Sequence, residues 1–440
     1  MHFKDLNITP ALLKALHDLG FDTPTPIQEK AFPVVMSGKD VVAIAQTGTG
    51  KTFAYLLPIL RQLNFSEQKQ PRVLIVVPTR ELVVQVTDEI KKLTAYINIR
   101  YAGIYGGANI NTQKQLIYNG LDILVATPGR LMDMFLSRTL QFHSIQKLVI
   151  DEVDEMLNLG FRPQLLSIME AIPPKRQNLL FSATLDEDVE KMIAGYFHQP
   201  VYLELVARGT PIEKITQYAY YVPNFNTKIN LLEYLLLTDE SIKKVLVFVK
   251  NKKLGDILYK SLEPKFIGEI GIIHSNKTQP QRFSSLKKFL EGNNRVLIAT
   301  DIIARGLDIP EMSHVINFDT PKEPGDYIHR IGRTGRADKE GSTVTFITEV
   351  EKLFQIKIET LMNKKIHMLD LPLEVEISNI LIPEEKPIKK DKNLKKFNKQ
   401  ATPKGAFHEK KDKNKKVNLG GKRRQETKRR KEAKFISKMK

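Results

Sequence analysis

The sequence predicts an α/β protein with two parallel-sheet domains in tandem and a basic, disordered C-terminal tail. Three observations lead to this prediction. Short buried apolar runs come in two sets, helix-length segments separate them, and the net positive charge is concentrated at the C-terminal end. The chain of 440 residues is longer than one that folds around a single ordinary hydrophobic core, and this length favours two or three domains. The hydrophobic fraction of 42% is ample for cores of that size.

Ten apolar runs predict the strands of the two sheets. Continuous Val, Ile and Leu runs between helix-length segments are typical of parallel strands buried on both faces. The runs are Val41–Ala45, Val73–Val77, Ile123–Ala126, Leu148–Ile150 and Asn178–Phe181 in the first set, and Val245–Val249, Ile270–Ile273, Val296–Ala299, Val315–Phe318 and Thr343–Ile347 in the second. Ligands of such sheets bind at the carboxyl ends of the strands.

The periodic pattern breaks near Ala207–Lys214. We therefore expect a first domain over residues 1–207, a linker over 208–214, a second domain over 215–370 and an extension over 371–440. Residues 386–440 hold 23 Lys+Arg and 5 Asp+Glu, a net charge of +18 that equals the net charge of the whole chain. Few apolar residues accompany these charges, which predicts disorder from about residue 386.

Composition excludes several function classes. The chain has no Cys, so disulfides and thiolate metal sites are impossible, and its nine His are scattered without a metal-binding spacing. The N-terminus lacks the pattern of a secretory signal, and no run of 18 apolar residues predicts a membrane span. We expect a cytoplasmic protein that does not bind membranes.

The stretch AIAQTGTGKT, Ala43–Thr52, follows the first predicted strand and leads into a helical pattern. Glycines at 48 and 50 let backbone N–H groups turn toward phosphate oxygens, and a helix N-terminus also favours an anion. Lys51 would then reach the β- and γ-phosphates of a nucleotide, and the Thr52 hydroxyl would help to hold Mg²⁺. A strict phosphate loop has Gly where this chain has Ala45, and the alternative is a Gly-rich turn that only caps a helix.

The stretch KLVIDEVDEML, Lys147–Leu157, places four carboxylates directly after a buried strand. Asp151 can hold Mg²⁺ through water, and Glu152 can polarise the water that attacks the γ-phosphate. A cation among neighbouring carboxylates offsets their repulsion. The alternative is an ordinary acidic helix start, which explains Asp154 and Glu155 but not two acids that adjoin the strand.

With these two elements placed, the order of the remaining motifs resembles the DEAD-box RNA helicases over roughly residues 3–350. The resemblance implies two tandem RecA-like domains, with ATP as substrate and Mg²⁺ as cofactor. PTPIQ, Pro24–Gln28, resembles the adenine-reading motif: Gln28 would bond the adenine edge, Phe21 would stack on its face, and Phe3 would support them. The implied nucleotide contacts are Phe3, Phe21, Gln28, Thr47, Gly48, Thr49, Gly50, Lys51, Thr52 and Asp308.

PTREL, the glycine pair and ATPGR in the first domain resemble RNA-backbone contacts, as do QR and parts of ATDIIARGLDI in the second. The implied RNA-binding residues are Pro78, Thr79, Arg80, Gly106, Gly107, Thr127, Pro128, Gly129, Arg130, Gln281, Arg282, Thr300 and Arg305. Contacts to phosphates and sugars carry little base specificity.

SAT and HRIGRTGR resemble the motifs that couple hydrolysis to strand separation. The implied coupling residues are Ser182, Ala183, Thr184 and His329, with the hydroxyls of Ser182 and Thr184 bonding toward Asp154. Arg333 and Arg336 would be arginine fingers that reach the γ-phosphate from the second domain. Only a closed form of the protein would then complete the catalytic set of Lys51, Asp151, Glu152, Asp154, Arg333 and Arg336.

Val153 departs from the Asp-Glu-Ala-Asp that names the family. The side chain of Ala has no role in the chemistry, so we interpret Val153 as a packing variant. A core with a basic tail is similar to the bacterial RhlE-type subgroup, and the tail would tether the core to structured RNA, although a charge run can simply be solvated.

Three questions stay open at this stage. An ATP-gated RNA clamp without productive unwinding, or a DNA translocase on the same two sheets, would share many of these motifs. Ribosomal precursors and the RNA-degradation machinery are both compatible as partners. The RNA target itself has no signature in the sequence.

Overall fold

Two seven-stranded parallel sheets organise the protein. The structure is a computed structural model that describes residues 1–45, 49–204, 215–301, 312–334 and 341–386. We call the described residues of 1–204, which hold the first sheet, lobe 1, and those of 215–385, which hold the second, lobe 2. Both lobes belong to one compact unit, Met1–Glu385.

The strands of lobe 1 are β1 (Val41–Ile44), β2 (Val73–Val76), β3 (Tyr101–Ile104), β4 (Ile123–Ala126), β5 (Lys147–Asp151), β6 (Gln177–Ser182) and β7 (Val201–Glu204). Those of lobe 2 are β8 (Ile215–Tyr221), β9 (Val245–Phe248), β10 (Ile270–Ile273), β11 (Val296–Ala299), β12 (His314–Asn317), β13 (Gly341–Ile347) and β14 (His367–Leu369). The spatial orders are β3-β4-β2-β5-β6-β1-β7 and β10-β11-β9-β12-β13-β8-β14. Adding seven to each number converts the first order into the second, so one topology occurs twice.

Helices connect the strands and cover the sheets. In lobe 1 they are α1 (Pro10–Asp18), α2 (Pro26–Met36), α3 (Lys51–Gln62), α4 (Arg80–Leu93), α5 (Ile110–Tyr118), α6 (Pro128–Leu136), α7 (Val153–Asn158), α8 (Arg162–Ala171) and α9 (Glu187–Tyr196). In lobe 2 they are α10 (Phe225–Thr238), α11 (Lys252–Leu262), α12 (Gln279–Leu290), α13 (Pro324–Ile331) and α14 (Lys352–Met362). Short 3₁₀ turns cover Phe3–Asp5 and Glu349–Glu351. None of the helices described in these ranges is long and apolar enough to cross a membrane.

The predicted α/β fold class is confirmed, and each of the ten apolar runs overlaps a strand. Four strands have no counterpart among the predictions: β3, β7, β8 and β14. Both edges of the first sheet, β3 and β7, are in this group, as is β14 at one edge of the second. In β3 buried and partly buried residues alternate, and β7 and β14 contain no buried residue, so these edge strands lack a continuous buried apolar run.

Apolar side chains from both faces of each sheet form the cores. In lobe 1 one cluster joins the faces of β1 and β5 to α2 and α3, and a second joins the opposite faces to α6, α7 and α8. Val153 is fully buried in the second cluster, as a packing variant should be.

The chain after β14 continues over lobe 2. Val375 and Ile382 are buried in the lobe 2 core. Asn224 Nδ2 donates to the Ser378 carbonyl oxygen at 2.6 Å, and the Phe225 N–H donates to Glu385 Oε1 at 2.6 Å. The segment up to Glu385 is therefore part of the lobe. The expected linker, 208–214, and the basic tail from 387 onward lie outside the described residues.

Candidate functional site

The N-terminus of α3 brings Gly50 next to α2. Gly50 precedes α3 in the left-handed conformation, with φ of 87°. Gln28 Oε1 accepts a hydrogen bond from the Thr25 N–H at 3.0 Å, and Gln28 Nε2 donates to the Gly50 carbonyl oxygen at 3.1 Å. A Cβ on Gly50 would lie 2.5 Å from that amide nitrogen. The position therefore requires glycine both for its backbone angle and for the close approach of Gln28.

Lys51 and Asp151 are buried charged groups at the carboxyl edge of the first sheet. Lys51 is 7% exposed and Asp151 is 5% exposed. Neither Lys51 Nζ nor Asp151 Oδ1 has a hydrogen-bond partner among the described residues. Burial raises the pKa of the Asp151 carboxyl above its usual value, while the nearby Lys51 charge acts in the opposite direction. A buried ammonium and a buried carboxylate oxygen without partners fit a ligand that supplies both anionic oxygens and a cation.

The other oxygen of Asp151 has a partner inside lobe 1. The Tyr55 hydroxyl donates to Asp151 Oδ2 at 3.1 Å. Burial and then the Asp151 charge raise the pKa of the Tyr55 phenol well above its usual value, and a side-chain hydrogen bond with Thr52 acts in the opposite direction. The phenol therefore stays protonated and acts as a donor.

Glu152 has an unusual backbone conformation. It lies between β5 and α7 with φ of 54° and ψ of 51°, in the left-handed region that non-glycine residues seldom occupy. Burial raises the pKa of the Glu152 carboxyl above its usual value, while the nearby Arg333 and Lys51 charges act in the opposite direction. Strained backbone of this kind persists where the surroundings over-determine it, and such positions cluster at functional sites.

Asp154 connects three parts of the site. Its Oδ2 accepts hydrogen bonds from the Thr184 hydroxyl and N–H, both at 3.0 Å, and from the Ala183 N–H at 3.2 Å. His329 Nε2, from lobe 2, lies 3.5 Å from the same oxygen. Burial alone would raise the pKa of Asp154, but the His329 contact, Lys51 and Thr184 together hold it well below its usual value. Ser182 differs from the expectation, because its buried hydroxyl has no hydrogen-bond partner among the described residues.

Charged residues of both lobes line one pocket. Arg333 follows α13 in lobe 2, is 3% exposed, and donates through Nε to the His329 carbonyl oxygen at 3.3 Å. The lining residues are Lys51, Glu152, Asp154, Glu155, Ala183, His329 and Arg333. The described residues contain no group of three or more His, Asp or Glu that could hold a metal ion by themselves.

The two predicted aromatic residues lie in different environments. Phe21 is 48% exposed, and its ring packs edge-on against Phe53 with 5.4 Å between centroids. Phe3 is 3% exposed and belongs to the lobe 1 core. Phe21 is thus accessible to a ligand, whereas Phe3 is part of the core.

Arg80 and the glycine pair form a second feature of lobe 1. Arg80 begins α4, and its guanidinium packs so closely on Gly107 that a Cβ there would clash with it. Gly107 has φ of 81°, so it too requires glycine. Gly106 lies 3.9 Å from the same guanidinium, measured from its own ideal Cβ position. The pair therefore supports Arg80.

Contacts across the cleft join Arg80 to α12 of lobe 2. Arg80 Nη1 donates to Gln279 Oε1 at 3.3 Å, and Gln279 Nε2 donates to Glu81 Oε1 at 3.4 Å. Arg282 forms an ion pair with Glu81, and both are largely buried. Sequence reasoning did not single out Glu81 or Gln279. The only signal for Glu81 was its place inside PTREL, and the only signal for Gln279 was its place two residues before Gln281.

Several predicted RNA contacts are engaged within their own lobes. Arg130 is buried and donates to Gln113 Oε1 at 2.6 Å and to the Ala108 carbonyl oxygen at 3.2 Å. Thr79 Oγ1 accepts from the Leu82 N–H at 3.3 Å, and Gln281 Oε1 accepts from the Thr278 N–H at 2.9 Å, so both cap helices.

The other predicted positions divide by burial and by coverage. The buried ones are Pro78, Thr127 and Pro128, and the partly buried ones are Thr49, Thr52, Gly129 and Thr300. Thr47, Gly48, Arg305, Asp308 and Arg336 lie outside the described residues. Arg330, which sequence reasoning also missed, is buried and binds Asp301 through Nε at 2.6 Å and Nη2 at 2.8 Å.

Comparison with known proteins places this geometry in a family. The model of the DEAD/DEAH box helicase family matches residues 25–192, and that of the helicase conserved C-terminal domain matches residues 227–338. The chain is 38% identical over 373 residues to the DEAD-box ATP-dependent RNA helicase CshA of Bacillus subtilis, covering 84% of this chain and 74% of that protein. The CshA protein of Listeria monocytogenes is also 38% identical, with 84% and 70% covered.

Solved structures agree. S. cerevisiae Dbp5 bound to RNA and ADP BeF3 matches with a TM-score of 0.76 and 30% identity, covering 84% of this chain and 95% of that one. Mss116p bound to ssRNA and AMP-PNP matches with a TM-score of 0.76 and 32% identity, covering 84% and 80%. The two sheets therefore correspond to tandem RecA-like domains, and the chain belongs to the DEAD-box ATP-dependent RNA helicases.

Proposed function

We propose that ATP hydrolysis in the cleft between the lobes, stimulated by RNA, drives local separation of short RNA duplexes or remodelling of ribonucleoprotein. The observation that carries this proposal is the pocket in which Lys51, Glu152 and Asp154 of lobe 1 meet His329 and Arg333 of lobe 2. A charge set divided between two lobes is complete only when the lobes are closed. ATP and RNA that both span the cleft would then bind cooperatively.

The nucleotide would lie along α2 and α3. Gln28 would read the adenine edge beside Phe21, and the Gly-rich turn with Lys51 would hold the phosphates. Thr52 and Asp151 would hold Mg²⁺, largely through phosphate and water. The cation neutralises charge that develops on the phosphoryl oxygens.

Glu152 would orient and polarise the attacking water. Its left-handed backbone turns it away from the strand direction, toward the pocket that Arg333 shares. Arg333 and Arg336 would stabilise the charge of the transition state, where an arginine contributes about 10³–10⁵ in rate. Asp154 would relay the state of this site to Thr184 and His329, which it already contacts.

RNA would bind mainly through its backbone. Arg80, with Gly106 and Gly107, lies on the lobe 1 side of the cleft, and Arg282 lies on the lobe 2 side, where it pairs with Glu81. Thr300 would add to the lobe 2 side, and Arg130 would act by supporting the 106–110 turn. Contacts of this kind imply little base specificity. With the proposed domain limits 1–207 and 215–370, each domain would carry one RNA-binding surface.

The finer assignments stay predictions. They are the RhlE-like subgroup, a cytoplasmic location, an RNA-tethering role for residues 386–440, and ribosomal precursors or RNA-degradation machinery as partners. The bacterial relatives compared above carry the name CshA. Crosslinking of the bound RNA to the protein in cells, followed by sequencing of that RNA, would identify the RNA target.

ATPase measurements with and without RNA, in Mg²⁺ and moderate salt, test the proposal. We expect RNA to stimulate the ATPase rate clearly and DNA to stimulate it little. A DNA translocase, the rival hypothesis, would show the reverse. Equal rates with and without RNA would contradict the proposal. A strand-displacement assay on a short duplex separates a helicase from an ATP-gated RNA clamp, because a clamp would hydrolyse ATP without separating strands.

Deletion of 386–440 tests the tail. Polyanion binding by a segment with net charge +18 should be strong and steep in salt. We expect the RNA concentration for half-maximal ATPase to rise and kcat to stay the same. If the RNA concentration for half-maximal ATPase were unchanged, the tail would have a role only in solubility or localisation.

A further inference from the structure

Tyr55 is a buried polar residue that none of the roles above includes. It lies on α3, four residues after Lys51, and is fully buried. Its ring packs against Phe181 of β6 with 5.2 Å between centroids, and its hydroxyl reaches across to β5 to donate to Asp151 Oδ2. One side chain thus connects the phosphate-loop helix to the strand that ends in the carboxylates.

Packing alone does not require a hydroxyl at this place. In lobe 2, α10 follows β8 as α3 follows β1. Tyr55 is the fifth residue of α3, and the fifth residue of α10 is Ile229, which is buried and apolar. The same scaffold therefore accepts an apolar side chain, and a buried phenol that binds nothing would be unfavourable. The hydrogen bond to Asp151 compensates for its burial.

The hydrogen bond distinguishes the two oxygens of Asp151. Oδ2 accepts from Tyr55, whereas Oδ1 is buried without a hydrogen-bond partner among the described residues. A carboxylate held at one oxygen has its rotation about χ2 restricted, so the other oxygen is presented in a fixed direction.

We propose that Tyr55 is a positioning residue for the cation site: its hydroxyl holds Asp151 so that Oδ1 is the oxygen available to Mg²⁺ or its bound water. This inference rests on the proposed function, since it requires that Mg²⁺ and ATP bind at this edge of the first sheet. Tyr55 contacts neither nucleotide nor RNA in this role. It acts through Asp151, as outer-shell partners of metal ligands do.

The test is a Tyr55→Phe variant of the full chain. A fluorescent ATP analogue is titrated in Mg²⁺ and, separately, in EDTA. The Kd in EDTA divided by the Kd in Mg²⁺ measures how much the cation contributes to binding. We expect this ratio to fall by about 5-fold in the variant, the equivalent of one hydrogen bond, with the Kd in EDTA unchanged. Mn²⁺ affinity in the presence of the same analogue, followed by electron paramagnetic resonance, should weaken by a similar factor.

Tyr327→Phe is the matched control. Tyr327 is also fully buried and also donates one hydrogen bond, to Gln217 Oε1 at 3.0 Å, but in lobe 2. Its loss should lower the Tm by an amount similar to that in Tyr55→Phe and leave the Mg²⁺ ratio at the wild-type value.

The outcomes separate the inference from the function beneath it. An unchanged Mg²⁺ ratio in Tyr55→Phe would overturn the positioning role, as would equal losses in Mg²⁺ and in EDTA, which indicate a purely structural residue. A wild-type chain that binds the analogue equally well in Mg²⁺ and EDTA would overturn the proposed cation site, and this inference with it.

Discussion

The two lobes have the same strand order, and each has a buried lysine in the helix that follows its first strand, but the surroundings of the two lysines differ. In lobe 1, Lys51 Nζ is buried without a hydrogen-bond partner among the described residues. In lobe 2, Lys228 Nζ lies 3.2 Å from Asp319 Oδ1 and 2.9 Å from Glu351 Oε2. Asp319 comes two residues after the end of β12, and Asp151 is the last residue of β5. Lobe 2 pairs its buried lysine with carboxylates, whereas lobe 1 leaves the Lys51 ammonium without a hydrogen bond among the described residues.

This difference shows how one scaffold supports two roles. A buried ion pair with good geometry stabilises its surroundings only while both partners are present. The lysine of lobe 2 is held in ion pairs, whereas under the proposed function the lysine of lobe 1 would bind phosphate. The second lobe therefore contributes to the nucleotide pocket through α13 and the residues after it, with His329 and Arg333, instead of through its own α10.

Replacing each lysine by Met should break the comparison most sharply. Lys228→Met leaves Asp319 and Glu351 buried without their cation, so the free energy of unfolding should fall by about 3–5 kcal/mol. Lys51→Met removes a buried cation that has no hydrogen-bond partner among the described residues, so stability should fall by less than in Lys228→Met, while the ATPase rate falls by about 10²–10³. Denaturant unfolding and ATPase assays of both variants measure this. Similar stability losses in the two variants would contradict the division of roles.

Glu152→Gln should separate binding from chemistry in lobe 1. The amide cannot accept a proton from water, so we expect the ATPase rate to fall by about 10²–10⁴ while the Kd for ATP stays within a few-fold. Glu349→Gln is the control in lobe 2, because Glu349 is an exposed acid paired with Lys352, and its ATPase should match wild type. Substantial hydrolysis by Glu152→Gln would show that the assigned role is wrong.

Gly107→Ala should impair the RNA side of lobe 1 selectively. The added Cβ would clash with the Arg80 guanidinium and strain a backbone with φ of 81°. We expect the RNA concentration for half-maximal ATPase to rise by about 10-fold, as for the loss of one charge-assisted contact, without a change in the Kd for ATP.

Gly160→Ala controls for backbone strain in that experiment. Gly160 has φ of 78°, and a Cβ there would meet nothing within 4 Å. The two variants should lose similar stability by differential scanning calorimetry, but only Gly107→Ala should need more RNA. Equal RNA requirements would show that the glycine pair does not act through Arg80.

Val153→Ala should have the smallest effect on activity. Two buried methyl groups are lost from the lobe 1 core, which should lower the free energy of unfolding by about 2 kcal/mol. The carboxylates of Asp151, Glu152 and Asp154 keep their partners, so the ATPase rate should stay within tenfold of wild type. Val247→Ala in the lobe 2 core, also fully buried, provides the control for stability. A larger change in rate would mean that Val153 shapes the site directly.

The sequence was most informative where residues are buried on both sides. The central strands, such as β2 and β9, have continuous apolar runs and were predicted, whereas β3, β7 and β14 lie at sheet edges and are at most half buried. β8 was missed for a different reason, since its sequence ITQYAYY mixes polar and aromatic residues. Edge strands need only one apolar face, so their pattern is weaker.

The same limit applies to the site. Lys51, Asp151 and Glu152 lie in contiguous motifs with a recognisable chemistry. Glu81 and Gln279 are recognisable as site residues only in the structure, where they approach each other across the cleft although they are 198 positions apart. Tyr55 is recognisable only because its hydroxyl reaches Asp151 of β5. Long-range pairings of this kind leave no local pattern in a single sequence.

The neutralised lysine of lobe 2 has a consequence for stoichiometry. Within the described residues, only one of the two repeated units has a buried lysine without a hydrogen-bond partner, so under the proposed function one chain should bind one ATP for each closure of the cleft. The part of the chain that the structure describes then offers no second ATP site that could keep the protein on the RNA while the first site exchanges its nucleotide. Movement along a strand would require that hold, so each cycle should act on the duplex at the point of binding and then release it.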